Sequence, residues 1–371
     1  MRSAHATLFL LTLMGLGCPP PDEHDSDTDG PLVDSDTDPV THTGETDTHT
    51  GHTGHTGETG DTAPPDPTDF WENLEWTGVS DLDVLTDFVY LRDSVPHWEV
   101  RICESGDGWG RGCEDYTTLA HSFSSLDGVL TENGLVLTGI PDSSTLEIKG
   151  FPIDRVHFFS TPDMENWGTH IYTLEGQKDG WVVDPAMAVM PDGQPSIIYY
   201  NQPMDCTEEP QNCPGDHDVL MASWDGTRFV VRDQPIHVDP DMVDPTMVPY
   251  LGQYHLFYTC DGDICHATSP DGTSFDYDDQ FRWGGAQVPH ANSYEDQLMV
   301  VGQGGGGWPP PRYTFMNADG SFPEQDEMLW SDHDNLSFFG GSCTSPVLVY
   351  TNKTYYTICA ILVNNHGIDE P

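Results

Sequence analysis

The chain repeats one short pattern, and this repeat constrains its fold more than any other feature. A carboxylate or polar residue, often followed by Pro, precedes an apolar run, a Gly-containing turn and an aromatic-rich run. The two clearest copies span residues 183–200 and 243–258, and weaker copies span residues 126–137, 288–301 and 345–356. One such unit cannot bury its apolar face alone, so the copies must pack against one another.

A second element follows four of the five copies. It carries Asp, in three cases as Asp-Gly, ahead of an aromatic residue, and it occupies residues 160–167, 223–229, 269–275 and 317–322. Asp-Gly is typical of tight hairpins, so we expect it between the third and fourth strands of a four-stranded sheet. The copies begin 45 to 60 residues apart, a length that suits one propeller blade. The sequence therefore predicts an all-β, five-bladed β-propeller, with a β-sandwich as the alternative.

The fifth copy reaches Pro371 before an outer strand could form. Two earlier segments have the aromatic and β-branched residues of strands, at residues 87–91 and 98–101. We expect this part of the chain to supply the missing strand of the fifth sheet and close the ring.

The N-terminus has the features of an export signal. A basic Arg2 precedes an apolar run over residues 8–17, which is too short to span a bilayer, and then Cys18. Residues 15–18 resemble a bacterial lipobox, which implies that Cys18 is lipidated and anchors the chain to a bacterial outer membrane or cell surface. The alternative is an ordinary cleaved signal peptide. Residues 1–18 are thus predicted to be a lipoprotein signal peptide.

Residues 19–69 consist largely of Asp, Thr, Gly, His, Glu and Pro. Such a composition buries too little apolar surface to offset chain entropy, so we expect a disordered acidic linker. Residues 70–371 are then the propeller domain. The whole chain has 12 basic and 62 acidic residues, a formal net charge of -50. This charge argues against a nucleic-acid partner, because nucleic-acid binding needs a basic surface.

The cysteines other than Cys18 fall into four sequential pairs. An even number of cysteines in an exported chain implies disulfides, and pairing between neighbours is the simplest arrangement. Zinc sites would need Cys-x-x-Cys spacings that are absent. The predicted disulfides are Cys103 with Cys113, Cys206 with Cys213, Cys260 with Cys265, and Cys343 with Cys359.

The repeat reads as apolar-Asp-Pro, then Gly-x-Tyr-x-Leu-x-Tyr, then Ser-x-Asp-Gly-x-x-Phe or Trp. Over residues 80–371 this resembles the five-bladed propeller glycosidases, namely the arabinanases, xylosidases, levansucrases and invertases. The resemblance implies that the innermost strand of each blade lines a central funnel. It also implies that carboxylates from three blades converge there, since glycoside cleavage needs one protonated and one ionised carboxyl group.

Carried over by position, the resemblance implies that Asp127 is the base or nucleophile, Asp184 orients and tunes the acid, and Asp244 stands in the acid's place. That family has Glu in the last place, so Asp244 is a departure and reaches about one methylene less far. Glu132 and Glu295 are alternative acids. The competing interpretation is structural, because Asp before Pro commonly starts a strand or turn.

Three tryptophans are candidates for stacking against sugar rings, namely Trp181, Trp283 and Trp308, although packing in the protein would equally account for them. No cofactor is required by this chemistry. His266 is a candidate ligand for a central metal ion such as calcium, as in some of the similar enzymes.

Three functions remain open. The chain could hydrolyse extracellular polysaccharide or oligosaccharide, bind glycans without cutting them, or hold another protein on the propeller rim. A funnel with three convergent carboxylates would favour hydrolysis, the missing Glu favours binding, and a funnel filled by side chains would favour a scaffold. Phosphate-binding loops, dinucleotide fingerprints and nucleophile triads are not visible in the sequence.

Overall fold

A computed structural model describes residues 70–71, 97–106, 108–110, 113, 115–121, 123–141, 155–177, 180–202, 218–236, 242–294, 296–304, 311–322, 327–328 and 343–363. Cys18, the predicted linker, residues 87–91 and the Cys206–Cys213 pair lie outside these residues. Within the described part of the chain, no helix combines the length and the apolar character needed to cross a bilayer.

The described strands form five four-stranded units, which we number as blades. Blade 1 contains β3 (Phe123–Thr131), β4 (Gly134–Pro141), β5 (Arg155–Thr161) and β6 (Gly168–Glu175). Blade 2 contains β7 (Trp181–Val189), β8 (Pro195–Gln202), β9 (Asp218–Trp224) and β10 (Phe229–Val231). Blade 3 contains β11 (Val243–Tyr250), β12 (Gln253–Cys260), β13 (Asp263–Ser269) and β14 (Asp276–Trp283).

Blade 4 contains β15 (Ala286–Tyr294), β16 (Gln297–Gly304), β17 (Arg312–Phe315) and β18 (Glu327–Met328). Blade 5 joins the first two and the last two described strands, in the order β19 (Cys343–Thr351), β20 (Thr354–Val363), β1 (His97–Ser105) and β2 (Thr117–His121). The segment at residues 98–101 therefore supplies a strand of the fifth sheet, as predicted.

Neighbouring strands within each blade are antiparallel. The outer strands of blades 1 and 2 also pair with each other in parallel, which joins these two blades into one eight-stranded sheet. The first strands of the blades contact one another in the cyclic order β3, β7, β11, β15 and β19, and β19 returns to β3. The all-β propeller predicted from the sequence is confirmed.

The core lies between the blades rather than in one central layer. One buried apolar cluster fills each junction between cyclic neighbours, from blades 5 and 1 round to blades 4 and 5. Strand β12 shows how alternation builds these layers, because Tyr254, Leu256 and Tyr258 face blade 2 while Phe257 faces blade 4. Each blade thus depends on two neighbours, which is the physical reason for the repeat.

The turns follow the chemistry that the sequence predicts. Asp261 and Gly262 both have positive φ values, of 49° and 85°, as a two-residue type I′ hairpin requires. The Asp residues of the second element lie between the third and fourth strands of blades 1 to 4. Their carboxylates accept hydrogen bonds that lower their pKa values, and these residues are Asp163, Asp225, Asp271 and Asp319.

Three of the four predicted disulfides are present in the described residues. They join Cys103 to Cys113, Cys260 to Cys265 and Cys343 to Cys359. The first and third lie together with Ile361 in one buried cluster of blade 5. The two disulfides therefore pack beside the sheet in which the two ends of the described chain meet.

Candidate active site

Each inner strand is interrupted by a β-bulge at the same place. The strand register skips two residues in β3, β7, β11, β15 and β19. In each bulge one non-Gly residue has a positive φ between 45° and 52°, and these residues are Ser125, Asp184, Asp244, Val288 and Ser345. We call these five residues the bulge ring.

The sequence explains why four of the bulges form where they do. Pro follows the bulge-ring residue in β7, β11, β15 and β19, and Pro has no N–H to donate to a strand ladder. A positive φ at a non-Gly residue costs about 1–3 kcal/mol and persists only where the surrounding structure enforces it. Such strain, repeated in all five inner strands, marks the ring as a candidate functional site.

The position of the bulge in β3 shows that the sequence-based alignment of blade 1 with blades 2 and 3 was wrong by two residues. Ser125, and not Asp127, occupies the position of Asp184 and Asp244. Asp127 lies two residues further along β3, at the position of Ala186 in β7. The predicted role of Asp127 as a first-blade base loses its positional basis, because that place in the ring holds a hydroxyl group.

Asp184 and Asp244 come from adjacent blades, and their carboxyl groups interact, because the charge of Asp244 and a hydrogen bond with it are among the causes that raise the pKa of Asp184. A buried carboxyl group beside a second carboxyl group holds its proton to a higher pH than an exposed one does. Burial and the nearby Asp244 charge raise the pKa of Asp184 well above its usual range, while a hydrogen bond with the Ser125 side chain lowers it. The structure brings these two predicted site residues together.

Tyr200 lies beside this pair. It is opposite Val183 on the neighbouring strand β8, and its side chain is buried. Burial and the charges of Asp184 and Asp244 raise the pKa of Tyr200 well above its usual range. Tyr200 therefore stays protonated and cannot serve as a base at neutral pH.

Two residues after the bulge-ring residues of their strands, three side chains from different blades meet. Nδ1 of His290 lies 2.5 Å from Oδ1 of Asp127, and Oγ1 of Thr246 donates to the Asp127 carboxylate at 3.3 Å. These residues belong to blades 4, 1 and 3, so contact between them must cross the centre of the ring. Asp127 is buried in this network, with 7% of its surface exposed.

The predicted sugar-stacking residues differ in position. Trp181 begins β7, three residues before Asp184, and its indole N–H is buried without a hydrogen-bond partner among the described residues. Trp283 ends β14 and is partly buried against the apolar layer between blades 3 and 4. Trp308 lies outside the described residues.

Of the two alternative acids, the structure describes only Glu132. Glu132 is exposed in the turn between β3 and β4, seven residues from Ser125 and so roughly 20 Å away along the strand. Glu295 lies outside the described residues. Asp184 and Asp244 therefore remain the candidate proton donors.

The proposed central metal ligand is not in the centre. His266 lies on β13, the third strand of blade 3, and its two ring nitrogens contact His255 and Asp278, each at 2.9 Å. Within the described ranges, no group of three or more His, Cys, Asp or Glu side chains could hold a metal ion. The described residues thus do not fit a central calcium site.

Two participants were missed by the sequence reasoning. Ser125 precedes Leu126, where the other blades have Pro, so the motif gave no sign of a bulge there. His290 follows Val-Pro in the fourth copy, and nothing in the sequence pattern related it to Asp127 of the first copy. Aligning the five copies on the residue that resumes the strand ladder would have found both.

The chain was compared with known proteins by sequence and by structure. No protein-family model matches the chain, and no curated protein matches it. It is similar in structure to a glycosyl hydrolase from Bacteroides ovatus, at 13% identity and a TM-score of 0.43, over 66% of this chain and 84% of that one.

A GH43 β-1,3-galactosidase is similar at 12% identity and a TM-score of 0.44, over 72% of this chain and 97% of that one. A fructofuranosidase from Schwanniomyces occidentalis is similar at 12% identity and a TM-score of 0.44, over 64% of this chain and 56% of that one. At these TM-scores and identities, the likenesses carry no conclusion about what this chain acts on.

Proposed function

We propose that this protein is an exported, lipid-anchored propeller that binds polysaccharide or oligosaccharide at the bulge ring and hydrolyses it by acid catalysis. The meeting of Asp184 and Asp244 at strained positions of two adjacent inner strands, with the pKa of Asp184 raised well above its usual range, carries this proposal. A raised pKa favours the protonated carboxyl group that glycoside cleavage needs as its acid.

In this mechanism the pair acts as one proton donor. Carboxyl groups on opposite sides of a glycosidic bond stand about 5–5.5 Å or about 6.5–9.5 Å apart, whereas hydrogen-bonded carboxyl groups are much closer. Asp184 and Asp244 therefore serve the same side of the bond, where one member protonates the leaving oxygen and the other tunes its pKa. Trp181, whose indole N–H has no hydrogen-bond partner among the described residues, is a candidate contact for the sugar.

The residues that would activate the attacking water molecule are less well suited to their task in this chain. Water attack is helped by a carboxylate base, but the blade 1 position of the bulge ring holds Ser125. A serine hydroxyl can orient a water molecule but is a poor proton acceptor at neutral pH. We therefore expect slow turnover, limited by activation of water.

Export and anchoring are part of the same proposal. They are supported by the apolar run before Cys18 and by the three disulfides, which persist in oxidising compartments. Mass spectrometry of the mature protein tests them, since a lipid mass on a peptide starting at Cys18 is expected. A mature chain that starts elsewhere without lipid would overturn the anchor.

A second candidate function is glycan binding without hydrolysis. Ser125 in the bulge ring and the use of Asp127 in the buried network favour it, because both remove a carboxylate from the first-blade position. In this case the pair and Trp181 would hydrogen-bond sugar hydroxyl groups without transferring a proton.

The discriminating experiment measures release of reducing sugar from arabinans, xylans, fructans and mannans by the full chain. Asp184→Asn and Asp244→Asn are compared with Asp192→Asn, a control in the exposed turn between β7 and β8. Release that both pair variants abolish and the control retains supports hydrolysis. Calorimetric binding of the same glycans without release supports the binding function, and neither release nor binding would overturn both.

A further inference from the structure

A second set of five residues follows the bulge ring, each two positions further along its inner strand. They are Asp127, Ala186, Thr246, His290 and Val347, and we call them the second ring. All five are buried. Three of them are polar and come from blades 1, 3 and 4. The centre of the propeller next to the bulge ring therefore contains buried polar side chains that no apolar layer accounts for.

His290 has one ring nitrogen without a partner among the described residues. Its Nδ1 lies 2.5 Å from Oδ1 of Asp127, whereas its Nε2 is buried and unpaired in the described part of the chain. In an imidazole Nε2 stands further from the backbone than Nδ1 does. Because Nδ1 already reaches a blade 1 residue from blade 4, Nε2 lies in the central space of the propeller. Buried polar atoms are nearly always paired, so Nε2 indicates a place for a water molecule or a ligand hydroxyl group.

We propose that His290 is the general base of this site, whose Nε2 accepts a proton from the water molecule that attacks the sugar, and that Asp127 is the positioning residue that holds Nδ1–H. This role rests on the proposed function and deepens it. Once the Asp184–Asp244 pair serves as the acid, the bulge ring has only Ser125 in the blade 1 position, and a hydroxyl group is a poor acceptor for the proton of water.

The contacts of Asp127 select the tautomer that this role needs. Oγ1 of Thr246 lies 3.3 Å from each carboxylate oxygen and has a proton to donate. An ionised carboxylate only accepts hydrogen bonds, so Nδ1 of His290 is the donor in the 2.5 Å contact. A neutral imidazole has a single N–H, which leaves the lone pair on Nε2. Nε2 is therefore able to take a proton from water.

The proton and electron count closes with the acid already described. Nε2 of His290 removes a proton from water as the water oxygen bonds to the anomeric carbon. The glycosidic bond breaks with its electron pair on the leaving oxygen, which takes the proton of the Asp184–Asp244 pair. His290 is then an imidazolium beside the Asp127 carboxylate, which stabilises its charge, and its proton returns to the ionised pair through solvent.

The spacing of the two rings fits one displacement by water. Two strand residues separate the level of Asp244 from that of Thr246 and His290, which is roughly 6–7 Å along the strand. An acid and a base that leave room for water stand about 6.5–9.5 Å apart, whereas about 5–5.5 Å suits a covalent intermediate. We therefore expect the product to have the inverted anomeric configuration.

The test measures hydrolysis by the full chain and by His290→Gln, Asp127→Asn and the control His170→Gln. His170 lies on β6, the outer strand of blade 1, and contacts Ser160 at 3.1 Å. We expect kcat to fall by about 10²–10⁴-fold in His290→Gln with KM unchanged. Asp127→Asn should give a similar fall, because an amide at this place favours the wrong tautomer. The control should keep the unmodified rate.

Two further readouts separate catalysis from a structural role. Proton NMR of the first product should show inversion, and ¹⁵N NMR of the imidazoles should show a bare Nε2 at His290 that becomes protonated in Asp127→Asn. If His290→Gln does not fold, Asp127→Asn with this ¹⁵N spectrum decides the question.

Three results would overturn the role of His290 and leave the proposed function standing. They are an unchanged kcat in both variants, a product of retained configuration, and an Nε2–H tautomer in the unmodified protein. A raised KM with kcat unchanged in His290→Gln would assign Nε2 to a sugar hydroxyl group and would also overturn the base. Failure to hydrolyse any glycan would overturn hydrolysis and the base together.

Discussion

His255 and His266 stack almost in parallel, with an interplanar angle of 3°, and Nδ1 of His255 lies 2.9 Å from Nε2 of His266. Both rings are buried within blade 3. Nε2 of His255 lies 3.2 Å from the Tyr250 carbonyl oxygen, and Nδ1 of His266 lies 2.9 Å from the Asp278 carboxylate. Three contacts thus join two imidazoles to two groups that only accept.

When both imidazoles are neutral, they carry two N–H groups in total. Three hydrogen bonds need three donors, so one of the three contacts has no proton. Asp278→Asn places an amide donor beside Nδ1 of His266, so that each of the three contacts can have one donor and one acceptor. We expect the free energy of unfolding at neutral pH to rise by about 1 kcal/mol in Asp278→Asn and to fall in Asp278→Ala. Urea unfolding measures both, and equal destabilisation by the two substitutions would contradict the proton count.

Two buried histidines should make the fold sensitive to mild acid. Burial lowers the pKa of His157 and of His255 from 6.5 to about 4. The folded state therefore binds fewer protons than the unfolded state between these values, and the free energy of unfolding should fall as the pH drops through that window. We expect a loss of about 2–3 kcal/mol for each histidine, measured by urea unfolding across the window. His157→Leu should flatten the fall, and a flat profile in the unmodified protein would refute this expectation.

The buried contact between Asp127 and His290 should matter for stability. Asp127→Ala leaves Nδ1 of His290 without its 2.5 Å partner, so we expect the free energy of unfolding to fall by about 3 kcal/mol. A double-mutant cycle with His290→Ala should give a coupling energy of about 1–3 kcal/mol. Additive changes in the free energy of unfolding would show that the two side chains do not interact. Asp244→Asn is the control, an Asp substitution on another inner strand that should keep the fold.

Val288 is a β-branched residue at a φ of 48°, a strained conformation for that side chain. Asn tolerates this region, so Val288→Asn should raise the free energy of unfolding by about 1 kcal/mol. Val243→Asn is the control, because Val243 lies just before the blade 3 bulge residue, outside the positive-φ positions, and packs against an apolar layer. It should destabilise the protein, and the same sign for both variants would contradict the role of strain.

Much of the fold could be predicted from the sequence because its determinants are local. The repeat of apolar run, turn and aromatic run predicted the strand pairs, and Asp261-Gly262 predicted a two-residue hairpin. Neighbouring cysteines predicted the three disulfides of the described residues. Each of these signals depends on residues close in the chain, where spacing alone limits the geometry.

The site was only partly predictable because its contacts cross the ring. The Asp-Pro pairs pointed to Asp184 and Asp244, but their hydrogen bond depends on how blades 2 and 3 sit side by side. The register of blade 1 depends on a bulge at Ser125, which is not followed by Pro and was therefore not predicted. As a result, Asp127 lies in a buried contact with His290 and not at the predicted position. The sequence by itself determined strands, turns and local disulfides; only closure of the ring, which sets residues from distant repeats in contact, decided which polar side chains meet.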